Sequence, residues 1–203
     1  MAPRMDRFSV AALERSLHRT NRRSPPKKGE TEAGVAIVLR PRGGDHEVLV
    51  IQRPVRPGDR WSGDAALPGG KREPADPDIV ATAVRETLEE VGLPLGASIG
   101  SLSPHPRSPM WRRWSRITVT PSVFLIEGDP RLVLNPSEVA LTRWVSIAAL
   151  LGPARRGRRP YSFRPFRSLS LRVPMTAPSW RTDGLEIWGM THGILSEMIE
   201  RAR

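Results

Sequence analysis

Glu86, Glu89 and Glu90 place three carboxylates within five residues of one predicted helix, inside the segment Gly70 to Leu93. At 3.6 residues per turn, positions i, i+3 and i+4 project from one face. Each stacked like-charge pair costs roughly 0.2–0.5 kcal/mol in a bare helix. A cation reverses that sign. Carboxylate oxygens are hard ligands, and Mg²⁺ takes a few of them together with waters and substrate phosphates. The feature therefore predicts a surface that binds a divalent ion and, through it, an anion.

The flanks mark where the helix starts and stops. Pro68-Gly69-Gly70 is a turn cluster whose glycines let backbone approach a ligand. Asp78 suits an N-cap, Gly92 a C-terminal cap, and Pro94 ends the helix. Ile79, Ala83, Val84, Leu88 and Val91 recur at helical spacing and predict an apolar face opposite the acids.

Strand patterns follow on both sides. Ala33–Leu39 and Glu47–Ile51 read as two strands around a Pro41–Asp45 turn. Gly96–Leu102, Ile117–Ile126 and Leu141–Val145 read as further strands, and Ile147–Leu151 as a short helix. Ser103–Arg116 has three prolines and predicts no regular element. Gly152–Pro174 reads as basic loop or irregular strand, and Leu185–Arg201 as a closing helix. Strands around one early helix, with another helix at the end, do not make a doubly wound sheet.

The 203 residues suit one domain with short extensions. Residues 1–32 read as a basic extension and linker, with Val10, Leu13 and Leu17 on one face of a short helix near Ser9–Arg19. The folded domain is expected over 33–203. With no cysteine there is neither disulfide framework nor thiolate metal site. No apolar run has the length of a membrane span and no signal-peptide pattern appears. A cytoplasmic location is therefore expected, although the arginine-rich N-terminus also has the composition of a mitochondrial targeting peptide. The net charge of +11 favours anionic partners. Only Lys27, Lys28 and Lys71 among the 32 basic residues are lysines, so a general arginine bias is an equal explanation of that charge.

Arg85 to Leu93 resembles the R-E-U-x-E-E-x-G-U half of the Nudix box, where U is a bulky aliphatic residue; Thr87 takes the first U position. The first half of the box departs from the pattern. Gly70 stands fifteen residues before Arg85, one more than the box has, and Asp76 takes the place of the first Glu. The resemblance extends over roughly Ala33 to Ile199 and implies the Nudix α/β/α sandwich, an α/β fold with a central mixed sheet. It also implies hydrolysis of a diphosphate with Mg²⁺ or Mn²⁺, with Glu86, Glu89 and Glu90 as ligands and the Gly70 carbonyl as a further one. Arg85 is then expected to hold a carboxylate such as Asp76 by forked hydrogen bonds. The general base is Glu90, acting through bound water, or Glu138, which resembles the late-loop Glu of some members.

Within the superfamily, Arg53, Leu67-Pro68-Gly69-Gly70-Lys71, Thr82-Ala83-Val84-Arg85-Glu86-Thr87 and Ile187-Trp188-Gly189 look like the coenzyme A pyrophosphatase branch. The upstream signature of that branch is altered: Ile51 stands for Thr, Pro54 for Ser or Ala, Leu67 for Phe, and Asp59 for an Arg. The resemblance implies coenzyme A or its acyl derivatives as substrate, with ADP-ribose, NADH or RNA 5′ ends as alternatives. Arg53, Arg60, Arg107 and Trp111 are the candidate substrate residues, since arginines suit phosphates and tryptophans stack on a base. The same loop carries His105, Arg112, Arg113, Trp114 and Arg116. Trp188 is expected in the core at helical spacing with Leu195, and His192 as a surface or packing residue.

One rival is a nucleic-acid binder on the same scaffold. Gly152–Arg172 carries seven arginines and no acid, with Tyr161, Phe163 and Phe166 interleaved, a pattern compatible with single-strand stacking. The intact acids favour the enzyme, because a pure binder has no need of them.

Overall fold

The fold is described from a computed structural model, for residues 8–18, 31–58, 62–106, 117–152, 155–163 and 173–203. The chain runs α1 (Val10–Ser16), β1 (Thr31–Arg42), β2 (Asp45–Gln52), β3 (Ala65–Ala66), β4 (Gly69–Lys71), α2 (Ile79–Val91), β5 (Gly100–Ser101), β6 (His105–Pro106), β7 (Ile117–Leu125), β8 (Leu141–Ser146), α3 (Ile147–Leu151), β9 (Arg156–Phe163), β10 (Val173–Thr182), β11 (Leu185–Trp188) and α4 (Gly189–Arg201).

β1 is the spine. Its Ala36–Leu39 run is buried on both faces, as near-continuous apolar strands with a parallel neighbour are. It pairs parallel with β7 and antiparallel with β2 and β4. The main sheet is therefore mixed, in the order β3-β2-β1-β7-β5, with β8 on β2 and β6 on β7. Alternation along β1 splits the core in two. Ala36 and Val38 face α2 together with Leu49, Phe124 and Val139. Ile37 and Leu39 face the opposite layer, made of α1, α3, α4 and a three-stranded sheet β11-β10-β9. A sheet covered on both faces is the α/β/α sandwich expected.

Several elements differ from the sequence reading. The turn after β1 is tighter than Pro41–Asp45: Gly43 and Gly44 both have positive φ, and Arg42 already faces Asp45 across the ladder. The Gly96–Leu102 strand contracts to Gly100–Ser101. Gly152–Pro174 is not a loop throughout, because Arg156–Phe163 forms a hairpin with Val173–Thr182. Its prolines are tolerated for a positional reason. Pro160 lies on the edge strand, and Pro174 and Pro178 lie where, among the described residues, β10 has β9 alone as neighbour, since β11 pairs with Ser179–Thr182. Leu185–Trp188 is strand, so the last helix begins at Gly189.

α1 packs into the main body. Leu13 is fully buried in the core cluster. Ser9 caps the helix by accepting from the Ala12 N–H at 3.2 Å, and its own N–H donates to the Ala202 carbonyl at 2.9 Å. Arg201 returns a bond to the Ser16 carbonyl at 2.7 Å.

Candidate active site

α2 carries the acids, and its ends are set as the local residues require. Asp78 accepts from the Ala81 N–H at 2.8 Å, and Gly92 closes the helix at φ 67° in the left-handed region. The buried side of the helix is the one expected at Ile79, Ala83 and Val91, with Val84 packed partly buried against the same core, but it is shifted away from Leu88. Leu88 is 51 % exposed, while Thr82, Thr87 and Glu90 are buried beside Ile79, Ala83 and Val91. Each polar member has a bond that permits burial. Thr87 donates to the Ala83 carbonyl at 2.7 Å, Thr82 to Asp76 Oδ2 at 2.9 Å, and Glu90 accepts from the Gly69 N–H at 2.9 Å. Glu90 therefore looks inward, under the Pro-Gly-Gly turn, rather than out to solvent.

That turn is built around the acids. A Cβ on Gly70 would lie 2.3 Å from Glu86 Oε1, so only glycine leaves room for this carboxylate. A Cβ on Gly69 would lie 2.3 Å from the Gly34 carbonyl, and φ is 150° there. Neither position admits a side chain without displacing an acid or the neighbouring strand.

Arg85 holds the array together. Its Nε and Nη2 fork onto Asp76 Oδ1 and Oδ2, each at 3.1 Å, the pairing anticipated from the sequence. Its Nη1 donates to Glu86 at 3.0 Å and to Glu89 at 2.9 Å. Glu89, half exposed, is turned onto Arg85 instead of into the cluster formed by the other acids.

Glu138 completes that cluster from 48 residues further along the chain. The loop before it is pinned to the end of α2 by main-chain bonds: Val133 N–H to the Val91 carbonyl at 2.8 Å, and Asn135 N–H to the Glu90 carbonyl at 2.9 Å. Asn135 then folds the turn by accepting from Ser137 N–H and Oγ. Oxygens of Glu86, Glu90 and Glu138 come within 4.8 Å of one another.

The charges respond to this crowding. Burial is the main cause that pushes Glu90 up to about 8, opposed by the Gly69 N–H and reinforced by Glu86 and Glu138. Burial also raises Glu86, against the pull of Arg85. Hydrogen bonds from Arg85 hold Asp76 down to about 2, and Asp76 in turn raises Arg85. The three converging oxygens fit a hard divalent cation, which would relieve the repulsion from Glu86 and Glu138 that adds to the effect of burial on Glu90.

A cleft of about 540 Å³ opens over these acids. Arg53, Arg56, Lys71 and Arg72 line it together with Glu138, and Arg56 donates to the carbonyl of neighbouring Ser137. Arg53 was among the candidates from the sequence; Lys71 appeared there only within the Pro-Gly-Gly-Lys run, and Arg56 and Arg72 were missed. The signal for Arg72 is its place directly after that run. Arg60, Arg107 and Trp111, with Arg112, Arg113, Trp114 and Arg116, lie outside the described residues. His105 Nε2 lies 2.7 Å from a carboxylate oxygen of Glu197 on α4. His192 is a packing residue, its ring 4.1 Å from that of Trp180. Trp188 ends β11 instead of lying within the last helix, and its indole N–H donates to Asp64 at 2.9 Å.

The basic 153–172 segment was read as an interleaved aromatic and arginine surface. Its described arginines have intramolecular partners: Arg155 donates to the Arg181 carbonyl, Arg156 to the Leu151 carbonyl, Arg158 to Thr176, and Arg159 pairs with Asp64 and Glu186. Tyr161 leans on Trp188 with ring centroids 5.8 Å apart. Arg164, Phe166, Arg167 and Arg172 lie outside the described residues. No helix among the described residues is long and apolar enough to cross a membrane.

The profile of the NUDIX domain family matches residues 30–164. A protein of Photorhabdus laumondii described as the uncharacterized Nudix hydrolase NudL is 30 % identical over 154 residues, covering 70 % of each chain. The peroxisomal coenzyme A diphosphatase ndx-8 of Caenorhabditis elegans is 29 % identical over 128 residues, 61 % of this chain and 52 % of that one. The human mitochondrial coenzyme A diphosphatase NUDT8 is 46 % identical over 61 residues, 30 % of this chain and 26 % of that one. The chain thus spans about half or less of the length of the two named diphosphatases.

Proposed function

This chain belongs to the Nudix hydrolase family, and we propose that it cleaves the diphosphate bond of a nucleotide conjugate, coenzyme A or an acyl derivative, to 3′,5′-ADP and a phosphopantetheine. The observation that carries the reading is the convergence of Glu86, Glu90 and Glu138 in a cleft that Arg53, Arg56, Lys71 and Arg72 also line.

Glu86, Glu90 and Glu138 would hold Mg²⁺ or Mn²⁺, with Glu89 and the Gly70 carbonyl as further ligands. Bound there, the ion would offset phosphate charge and acidify a water. The protein's own contribution is positional. Arg85 fixes Glu86, and the Gly69 N–H fixes Glu90. Arg53 and Arg56 face the diphosphate with permanent positive charge. Glu138, exposed at the rim, accepts the proton of the attacking water as its oxygen bonds to phosphorus and the bridging P–O bond breaks. Glu90 is the other candidate for that role.

Support for coenzyme A comes from the motifs around Arg53, Lys71 and Trp188 and from the two relatives named as coenzyme A diphosphatases. The test is a screen of the purified protein with Mg²⁺ or Mn²⁺ against coenzyme A, dephospho-coenzyme A, ADP-ribose, NADH and capped RNA, with products identified by mass. A site that pairs the 3′-phosphate with arginines should prefer coenzyme A over dephospho-coenzyme A by about tenfold or more in kcat/KM. A better rate with ADP-ribose or NADH overturns the substrate. Cytoplasmic residence belongs to the same proposal, and a tagged protein that collects in mitochondria or peroxisomes overturns it.

A further inference from the structure

We infer that Asp64 is a positioning residue that fixes the phosphate-facing wall of the cleft from the second sheet; this rests on the diphosphate reading above. β3 is only two residues long and pairs with the end of β2 at Ile51 and Gln52. A strand so short cannot set its own place, yet it joins two parts of the site. Gly69 follows it by three residues, and Arg53 lies across from it.

Asp64, immediately before β3, makes the join from both its backbone and its side chain. Its carbonyl accepts from the Arg53 N–H at 3.1 Å. Its carboxylate, in a residue only 8 % exposed, accepts from the Trp188 indole N–H at 2.9 Å and pairs with Arg159 at 3.3 Å. Arg159 lies over the Trp188 ring, 4.4 Å from its centroid, and also reaches Glu186 at 3.5 Å. One residue on, the Ala65 carbonyl accepts from Thr191 Oγ1 of α4 at 3.1 Å.

Burying a carboxylate is an inefficient way to stabilise a fold, because an apolar residue of similar size does as well or better. A buried, directional acceptor does something an apolar residue cannot: it fixes register. Trp188 and Arg159 approach from β11 and β9, on the far layer, so the second sheet sets where Asp64 sits. Asp64 then sets where the Arg53 backbone sits, and Arg53 lines the cleft.

The test is a double-mutant cycle between Asp64 and Arg53 in the full chain with Mg²⁺, read as KM and kcat for coenzyme A and as Kd for inorganic pyrophosphate. Asp64→Ala and Arg53→Ala should each raise KM and Kd about tenfold with kcat within about twofold, the pattern of lost ground-state binding. The double variant should be no worse than Arg53→Ala alone, because Asp64 acts through Arg53. Asp64→Asn, which keeps an acceptor for the indole, should recover most of the loss. If Asp64→Ala does not fold, Trp188→Phe takes its place in the cycle. Additive losses, or unchanged KM and Kd in a folded variant, overturn the positioning role while leaving the hydrolase reading standing. Pyrophosphate binding with the expected coupling but no cleavage of any diphosphate overturns the hydrolase reading alone. A wild-type protein that neither binds nor cleaves overturns both.

Discussion

Asp76→Asn isolates the ion pair that orders the acidic face. Asp76 Oδ1 accepts from Arg85 Nε, and Oδ2 from Arg85 Nη2, the Glu73 N–H and Thr82 Oγ1. The fall from 3.8 to about 2 corresponds to about 2.4 kcal/mol of stability at pH 7. An amide also replaces one acceptor oxygen by a donor and faces it with donors, which adds about 1–3 kcal/mol. Arg85 keeps Glu86 and Glu89, so its charge is not stranded and the cost stays near the lower end. The expected loss is about 3–4 kcal/mol at pH 7. The sign with pH follows from a folded value below the unfolded one. The ionic share is fully present above about pH 4 and disappears as pH falls through about 2, so about half of it is gone at pH 3. Urea unfolding followed by tryptophan fluorescence at pH 7 and pH 3 measures both numbers. A loss below about 1 kcal/mol at pH 7, or a gap that stays constant down to pH 3, refutes the reasoning.

Gly70→Ala should leave the urea midpoint nearly unchanged, because its Cβ meets the far end of Glu86, yet lower turnover by at least about 100-fold; Gly69→Ala should destabilise by about 2 kcal/mol or more, since its Cβ meets the backbone of β1, and equal midpoints for the two variants would contradict this. Glu90 has a folded value near 8, above its ordinary 4.5. Metal-free protein should therefore lose stability as pH rises from about 5 to 8, by up to roughly 4 kcal/mol, and Glu90→Gln should flatten that slope in unfolding experiments. Leu13→Ala, at a fully buried position, should cost about 2–5 kcal/mol and lower Tm by roughly 5–15 °C in calorimetry; an unchanged Tm would show that α1 does not belong to the core.

The helix was legible because its signals are local. Asp78 and Gly92 act on their own turns, and Arg85 needed only Asp76 nine residues away. The buried side of α2 was legible at Ile79, Ala83 and Val91 but not in its full extent. Periodicity counts apolar residues, whereas Thr82, Thr87 and Glu90 are buried through hydrogen bonds that pattern cannot register, leaving Leu88 outside. The β9–β10 hairpin was hidden by Pro160, Pro174 and Pro178, which are excluded where a strand is paired on both sides but not where it is paired on one. Glu138 was reached only through resemblance, since bonds between the loop at 133–135 and the end of α2 bring it in. Asp64 gave no signal at all: its partners, Trp188 and Arg159, are 124 and 95 residues away.

The central claim is that Glu86, Glu90 and Glu138 together hold a divalent ion. Titration of Mn²⁺ into the purified protein, followed by the electron paramagnetic resonance of the free ion, tests it most directly. Bound Mn²⁺ is expected in the wild type and should be lost in the Glu86→Gln/Glu90→Gln/Glu138→Gln variant while circular dichroism stays unchanged. Equal Mn²⁺ binding by the wild type and the folded triple variant would contradict the account.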